Sequence, residues 1–288
     1  MNINDLSEEA QIELVSEDAF RIRAIENPSE AVQLAAVQQS EYMIMYIDNP
    51  SEEVQLAAVR IDGEAIWHID DPSETVQLEA VQSNGYALGI IKNPSDAVQL
   101  AAVQENGYAI DFIVHPSDAV KLAAVRQNGW AIKHIENPTE IVKLAAVRQN
   151  GFAIQHIKNP SEAVQLAAVS QNARAIRYIE SPSDEIQLAA VRSIGQSIYC
   201  IIIPDGGIQR SIIQNGTLFN RRVTPFEAVQ LAAVSEDGFA IKYITHPSEA
   251  VQLAAIQSNP QAINYILNPS EELKAYAELL QLTQKAEK

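Results

Sequence analysis

Two arginines fall where the repeating pattern of this chain elsewhere puts aliphatic side chains, a third stands beside one of them in a column of rings, and they are the first candidates for chemistry. Residues 203–224 read Ile-Pro-Asp-Gly-Gly-Ile-Gln-Arg-Ser-Ile-Ile-Gln-Asn-Gly-Thr-Leu-Phe-Asn-Arg-Arg-Val-Thr. Aligned on its neighbours, the stretch places Arg210 at a core Leu position, Arg222 at the last core Ile position and Arg221 beside it. Gly206 and Gly207 replace an acidic residue and the Ala after it. A guanidinium at a core position is costly unless an anion meets it. A helix start that lacks its carboxylate leaves backbone N–H groups for a phosphate. Arg210, Arg221, Arg222, Gly206 and Gly207 thus make a candidate pocket for a phosphate-bearing or nucleotide ligand. The competing expectation is that a one-residue deletion turns the arginines to solvent or pairs them with Asp205 and makes this copy a bend.

A second constellation is a column of rings at one repeat position: Tyr46, His68, Phe112, His134, His156, Tyr178, Tyr243 and Tyr265, with Ile90 and Cys200 interrupting it. Its neighbours in sequence include Lys133, Gln155, Arg177, Lys242 and Asn264. Rigid rings beside polar groups are enriched at protein interfaces, so these eight residues are candidate partner contacts; the alternative is that they fill gaps between helix layers. A second column, running from Gln33 through Gln99 and Lys121 to Gln252, reads either as a solvated face or as an amide ladder between copies. His134 and His156 stand one period apart without an obvious third ligand, so no metal and no cofactor is expected. His115 and His246 precede prolines and read as structural. No phosphate loop, nucleophile elbow or catalytic cluster occurs, and the chain is expected not to be an enzyme.

These residues are positioned by repetition. Prolines recur at 28, 50, 72, 94, 116, 138, 160, 182, 204, 225, 247 and 269, every 22 residues except for one step of 21. Such periods mark solenoids or propellers. The stretch Asn137–Lys158 typifies the unit. Asn137 is expected to cap a helix, Pro138 to be its first residue and Glu140 to close a capping box. The apolar run that follows suits a helix packed between neighbours. Gly151, like Gly63, Gly85, Gly107, Gly129, Gly216 and Gly238, is expected to end that helix in a left-handed conformation. A shorter second helix with the pattern aromatic-Ala-Ile-x-x-Ile then runs to the next proline. A parallel β-helix would need alternating, β-branched strands, and the Ala-rich core speaks for helices instead.

The expected fold is therefore all-α: an α-solenoid of about 13 two-helix rungs, wound as a right-handed superhelix, in which each rung contacts its neighbours. Residues 1–27 read as a polar N-terminal capping repeat, 28–203 as regular repeats and 204–224 as the degenerate copy. Residues 225–268 resume the pattern, and 269–288 form a C-terminal capping helix. Pro28, Val32, Leu34, Ala35, Ala36 and Val37 show a unit that resembles the leucine-rich-repeat-variant and HEAT-like α-solenoids, and is similar to repeat units of phage and protist proteins. The resemblance covers about residues 27–270, and the iron–sulfur cysteines of some variant-repeat proteins are missing. It implies architecture and says little of a ligand.

A formal charge of −17 argues against direct nucleic-acid binding over most of the surface. It also raises nucleic-acid mimicry. Against this, the acidic residues Glu30, Glu52, Glu74, Asp96, Asp118, Glu140, Glu162, Asp184, Glu227, Glu249 and Glu271 stand where helix starts already favour them. One cysteine, no signal peptide and no apolar run of membrane-spanning length point to a soluble protein of the cytoplasm, without a membrane partner. The function expected is non-enzymatic: binding a protein partner along the extended surface by occlusion, as an inhibitor or adaptor. Near-identical copies suit a phage-encoded protein acting in the host cytoplasm. Ligand sequestration at the arginines and nucleic-acid mimicry are the alternatives, and homo-oligomerisation stays open.

Overall fold

The computed structural model describes residues 3–194, the strand residues 212–214 and 217–219, and residues 227–286. These residues form short helices in the expected 22-residue register, and the chain is an α-helical repeat array. It divides into two compact units, Met1–Val142 and Lys143–Lys288, with the boundary inside the helix Glu140–Gln149. In the first unit the α-helices Glu8–Glu17, Glu30–Gln39, Glu52–Ile61, Glu74–Ser83, Asp96–Glu105 and Asp118–Gln127 each pack on the next. In the second, Glu162–Gln171 packs on Asp184–Ser193 and Glu227–Glu236 on Glu249–Ser258, with Glu271–Ala286 last.

Every α-helix from Glu8–Glu17 to Glu162–Gln171, and likewise Glu227–Glu236 and Glu249–Ser258, is followed by a 3-10 helix of five or six residues where the sequence suggested a second, shorter helix. The reason is local. Asn106 adopts an extended backbone and its side chain accepts from the Tyr108 N–H at 3.0 Å, starting a tight turn at once. The segment Gly107–Phe112 then has no room for α-helical bonds before the next proline. Within each unit the α-helices form one layer and the 3-10 helices the other. Between them Val98, Ala102, Val103, Ala109 and Ile110 are wholly buried, and most of their equivalents in the other described rungs are buried too.

Three turn assignments differ from the sequence reading. The α-helix N-cap is Ser: Ser29, Ser51, Ser73, Ser95, Ser117, Ser161 and Ser248 each accept the N–H of the third residue beyond. Glu or Asp is therefore the first helical residue, and the proline lies outside the helix. The left-handed residue is the Asn before the proline: Asn27, Asn49, Asp71, Asn93, Asn137, Asn159 and Asn268 have φ of 48–53°. Proline bars the residue before it from the right-handed helical region, and Asn tolerates the left-handed one. His246 takes the same conformation with φ 57°.

Glycine after the α-helix serves close approach instead. A Cβ on Gly107, Gly151 or Gly238 would lie 2.5 Å from the carbonyl oxygen of Ala124, Ala168 or Ala255 on the following rung. The glycine N–H is met by that rung too: Gly107 donates to Gln127 Oε1 at 2.8 Å and Gly151 to Gln171 Oε1 at 2.7 Å.

At seven of its described positions the glutamine column bonds within its own rung and makes no ladder between rungs. Nε2 of Gln33, Gln55, Gln77, Gln99, Gln165, Gln187 and Gln252 donates to the proline carbonyl of its own rung at 2.8–3.0 Å, pinning the helix to the turn before it. The acidic ridge does link rungs. Ser51 donates to Glu30, Ser73 to Glu52 and Ser95 to Glu74, and in the second unit Ser183 donates to Glu162 at 2.9 Å and Ser248 to Glu227.

In the second unit Asp184–Ser193 packs against Glu227–Glu236, although residues 194–226 separate them in sequence. Within that separation the described residues form two strands, Ile212–Gln214 and Thr217–Phe219. They are antiparallel, with Ile212 opposite Phe219 and Gln214 opposite Thr217. The sequence reading had this copy helical, with Asn215-Gly216 as a helix end. The antiparallel pairing of the described strand residues corrects that reading.

Ser95→Ala should cost about 1 kcal/mol, whereas Asn93→Gly should change stability by only a few tenths, since glycine is at ease at positive φ. Thermal melts of the two variants distinguish a serine cap from an asparagine cap. In the same assay Gly107→Ala should destabilise by about 1–3 kcal/mol through overpacking.

Candidate functional site

The 3-10 helices of neighbouring rungs lie side by side within each unit and form an edge. A ring near the start of one 3-10 helix meets the ring near the end of the next. Tyr86 and Phe112 stand 6.1 Å apart at 87°, Tyr108 and His134 5.8 Å at 79°, Phe152 and Tyr178 5.9 Å at 84°, and Phe239 and Tyr265 5.7 Å at 82°. Phe20–Tyr46 and Tyr42–His68 are looser versions at 6.2 and 6.4 Å. Edge-to-face geometry is the favoured contact of two quadrupoles. Gly89 makes room for one such pair, because a Cβ there would touch the Phe112 ring at 3.0 Å.

The ring column thus joins rungs and still faces outward. Tyr46, His68, His134, Tyr178 and Tyr243 are half-buried, while Phe112, His156 and Tyr265 are exposed. Gap filling and surface display, which the sequence set against each other, are done by the same rings. Cations lie on the edge as well. Arg23 sits over the Tyr46 ring at 4.7 Å, Lys133 over Tyr108 at 4.9 Å and Lys242 over Tyr243 at 4.8 Å. A hydrogen bond to Tyr243 holds the Lys242 ammonium above the usual lysine range.

His134 places Nδ1 2.7 Å from Asp111 Oδ1. Beside it a cavity of about 330 Å³ is lined by Ile113, Val114, His115, Pro116, Lys121, His134, Glu136 and Asn137. Among the described residues no three His, Cys, Asp or Glu side chains converge as a metal site, and no helix is long and apolar enough to cross a membrane.

Arg210, Arg221, Arg222, Gly206 and Gly207 lie outside the described residues. The Leu position with which Arg210 aligns is half-buried in most described copies, as at Leu34, Leu100 and Leu166, and exposed at Leu253.

Sequence reasoning missed Trp67, which is 70% exposed, and with it Met45 and Tyr42. Trp67 and Met45 occupy the repeat position that other copies fill with Arg23, Asp111, Lys133 or Lys242, so an apolar residue in a polar column was the available signal. The charge distribution was also hidden by the whole-chain total. The first unit holds 24 acidic and 7 basic residues, and the second holds 13 of each.

Compared with known protein families, with curated proteins and with solved structures, the chain matches none. Its class is set by the coordinates alone, as an array of short helical repeats.

If the ring pairs join rungs, Tyr86→Ala and Phe112→Ala should be non-additive. A double-mutant cycle by chemical denaturation is expected to show about 0.5–1.5 kcal/mol of coupling.

Proposed function

We propose that this chain is a non-enzymatic binding protein that takes a protein partner along the 3-10 edge of its rungs. The reading rests on one observation: the edge repeats half-exposed rings that pairing between rungs already holds in place. Rings ordered before binding lose little entropy on contact, and ordered aromatic side chains are frequent anchors of interfaces. Similar rungs repeat the contact within each unit, which suits occlusion by an inhibitor or adaptor. The unit is of the leucine-rich-repeat-variant or HEAT-like kind, and a phage origin with action in the host cytoplasm suits near-identical copies.

Nucleic-acid mimicry draws less support. The carboxylates that would imitate phosphates accept hydroxyl groups from the next rung, which gives the ridge a structural occupation.

Immobilised wild-type chain and the variant Phe112→Ala/Tyr178→Ala/Tyr265→Ala should be exposed to the same source lysate, with Glu74→Gln as a ridge control. The expected result is a protein retained by the wild type and the ridge control and at least tenfold depleted on the edge variant. Equal retention on the edge variant, with its helical circular dichroism intact, would remove the edge as the binding surface.

A further inference from the structure

We propose that the Trp67 end of the edge, in the first unit, docks an Arg- or Lys-rich segment of the partner. This rests on the edge being the binding surface and names the chemistry of what it takes. The 3-10 helices Ala19–Ala24, Glu41–Tyr46 and Gly63–His68 lie in succession there. They leave Phe20, Tyr42, Met45 and Trp67 between 49% and 70% exposed. A run of large apolar side chains left in water is a contact surface in waiting.

The charges around it decide the occupant. Glu26, Asp48 and Asp70 follow these three 3-10 helices, all exposed, and Asp71 comes next. Further along, the same repeat position holds Lys92, Val114 and Glu136 in the first unit and Lys158, Glu180, Ile202, Val223, Thr245 and Leu267 in the second. The surplus of acids over bases belongs to the first unit as a whole, so an approaching cation is steered to this unit. A neutral apolar segment would gain the rings and waste the field. An acidic one would be repelled.

The edge already shows the contact in miniature. Arg23, Lys133 and Lys242 each place a cation over a tyrosine ring of the same edge. At the Trp67 rung the position that supplies those cations is itself a ring, and on the next rung it is Gly89. The 3-10 helices Glu41–Tyr46 and Gly63–His68 carry rings and no Lys or Arg, and an acidic residue follows each; Arg21 and Arg23 stand on the Phe20 helix before them. Indole is the best of the aromatic faces for a cation, and an arginine can stack on it while its N–H groups reach Asp48 or Asp70.

The test uses the full chain with Trp130→Phe, which leaves Trp67 as the single tryptophan of the two. A nona-arginine peptide is titrated in and indole emission followed, with nona-glutamate as the opposite-charge control. Nona-arginine should change the emission, and nona-glutamate should not. The dissociation constant, followed through a fluorophore on the peptide, should rise at least tenfold with Trp67→Ala and severalfold between 50 and 200 mM salt. Tyr265→Ala, at the other end of the chain, should leave it unchanged. Binding indifferent to Trp67→Ala, or weakened equally by Tyr265→Ala, would overturn the proposal and leave only diffuse charge attraction. A dimer in sedimentation that Trp67→Ala dissolves would overturn it too, by assigning the patch to a second copy of this chain. The proposed function is judged separately: edge-dependent capture that persists when the peptide test fails sinks the cationic segment alone.

Discussion

Everything in each unit depends on how near one rung can come to the next. An alanine carbonyl occupies the space that a side chain would need on the glycine of the preceding rung. Small residues on both sides of that junction let backbone meet backbone, and the polar groups brought together are then paired across it. The glycine N–H goes to a glutamine or glutamate of the following rung. The cap serine uses its hydroxyl in both senses, donating to the carboxylate of the preceding rung and accepting from its own helix. A hydroxyl has one proton and two lone pairs, so it can do both at once.

This close spacing explains why the second helix is 3-10. After a ten-residue α-helix and its turns, five or six residues remain to return to the start of the next rung, and the tighter helix uses each of them. The short return also sets the ring pairs, because a ring at the head of one 3-10 helix then meets a ring at the tail of the next. The outward face is thus a by-product of stacking, decorated differently along the chain. In the first unit it is apolar rings among carboxylates; in the second, charges balance.

Much of the fold was legible in the sequence. The 22-residue period, the α-helix over the Val-x-Leu-Ala-Ala-Val run and the burial of Val98, Ala102 and Val103 all follow from pattern alone. The turn chemistry did not. Asn before Pro and Ser after it are both good caps, and local preference cannot choose between them. Glycine has two uses, positive φ and absence of a Cβ, which look identical in one dimension. The candidate site was half legible: the ring column was found, but Trp67 and Met45 were passed over because they lie one residue outside it.

The sequence by itself determined the period, the helical class and which side chains would be buried, because these depend on spacing and polarity within one copy. Tertiary structure alone decided what the glycines, serines and acidic residues are for. Their partners sit on another rung, about twenty residues away, where single-copy rules do not reach. It also decided that the helix Asp184–Ser193 meets Glu227–Glu236, since repeat logic expects a neighbour one period on and packing needs only a complementary face.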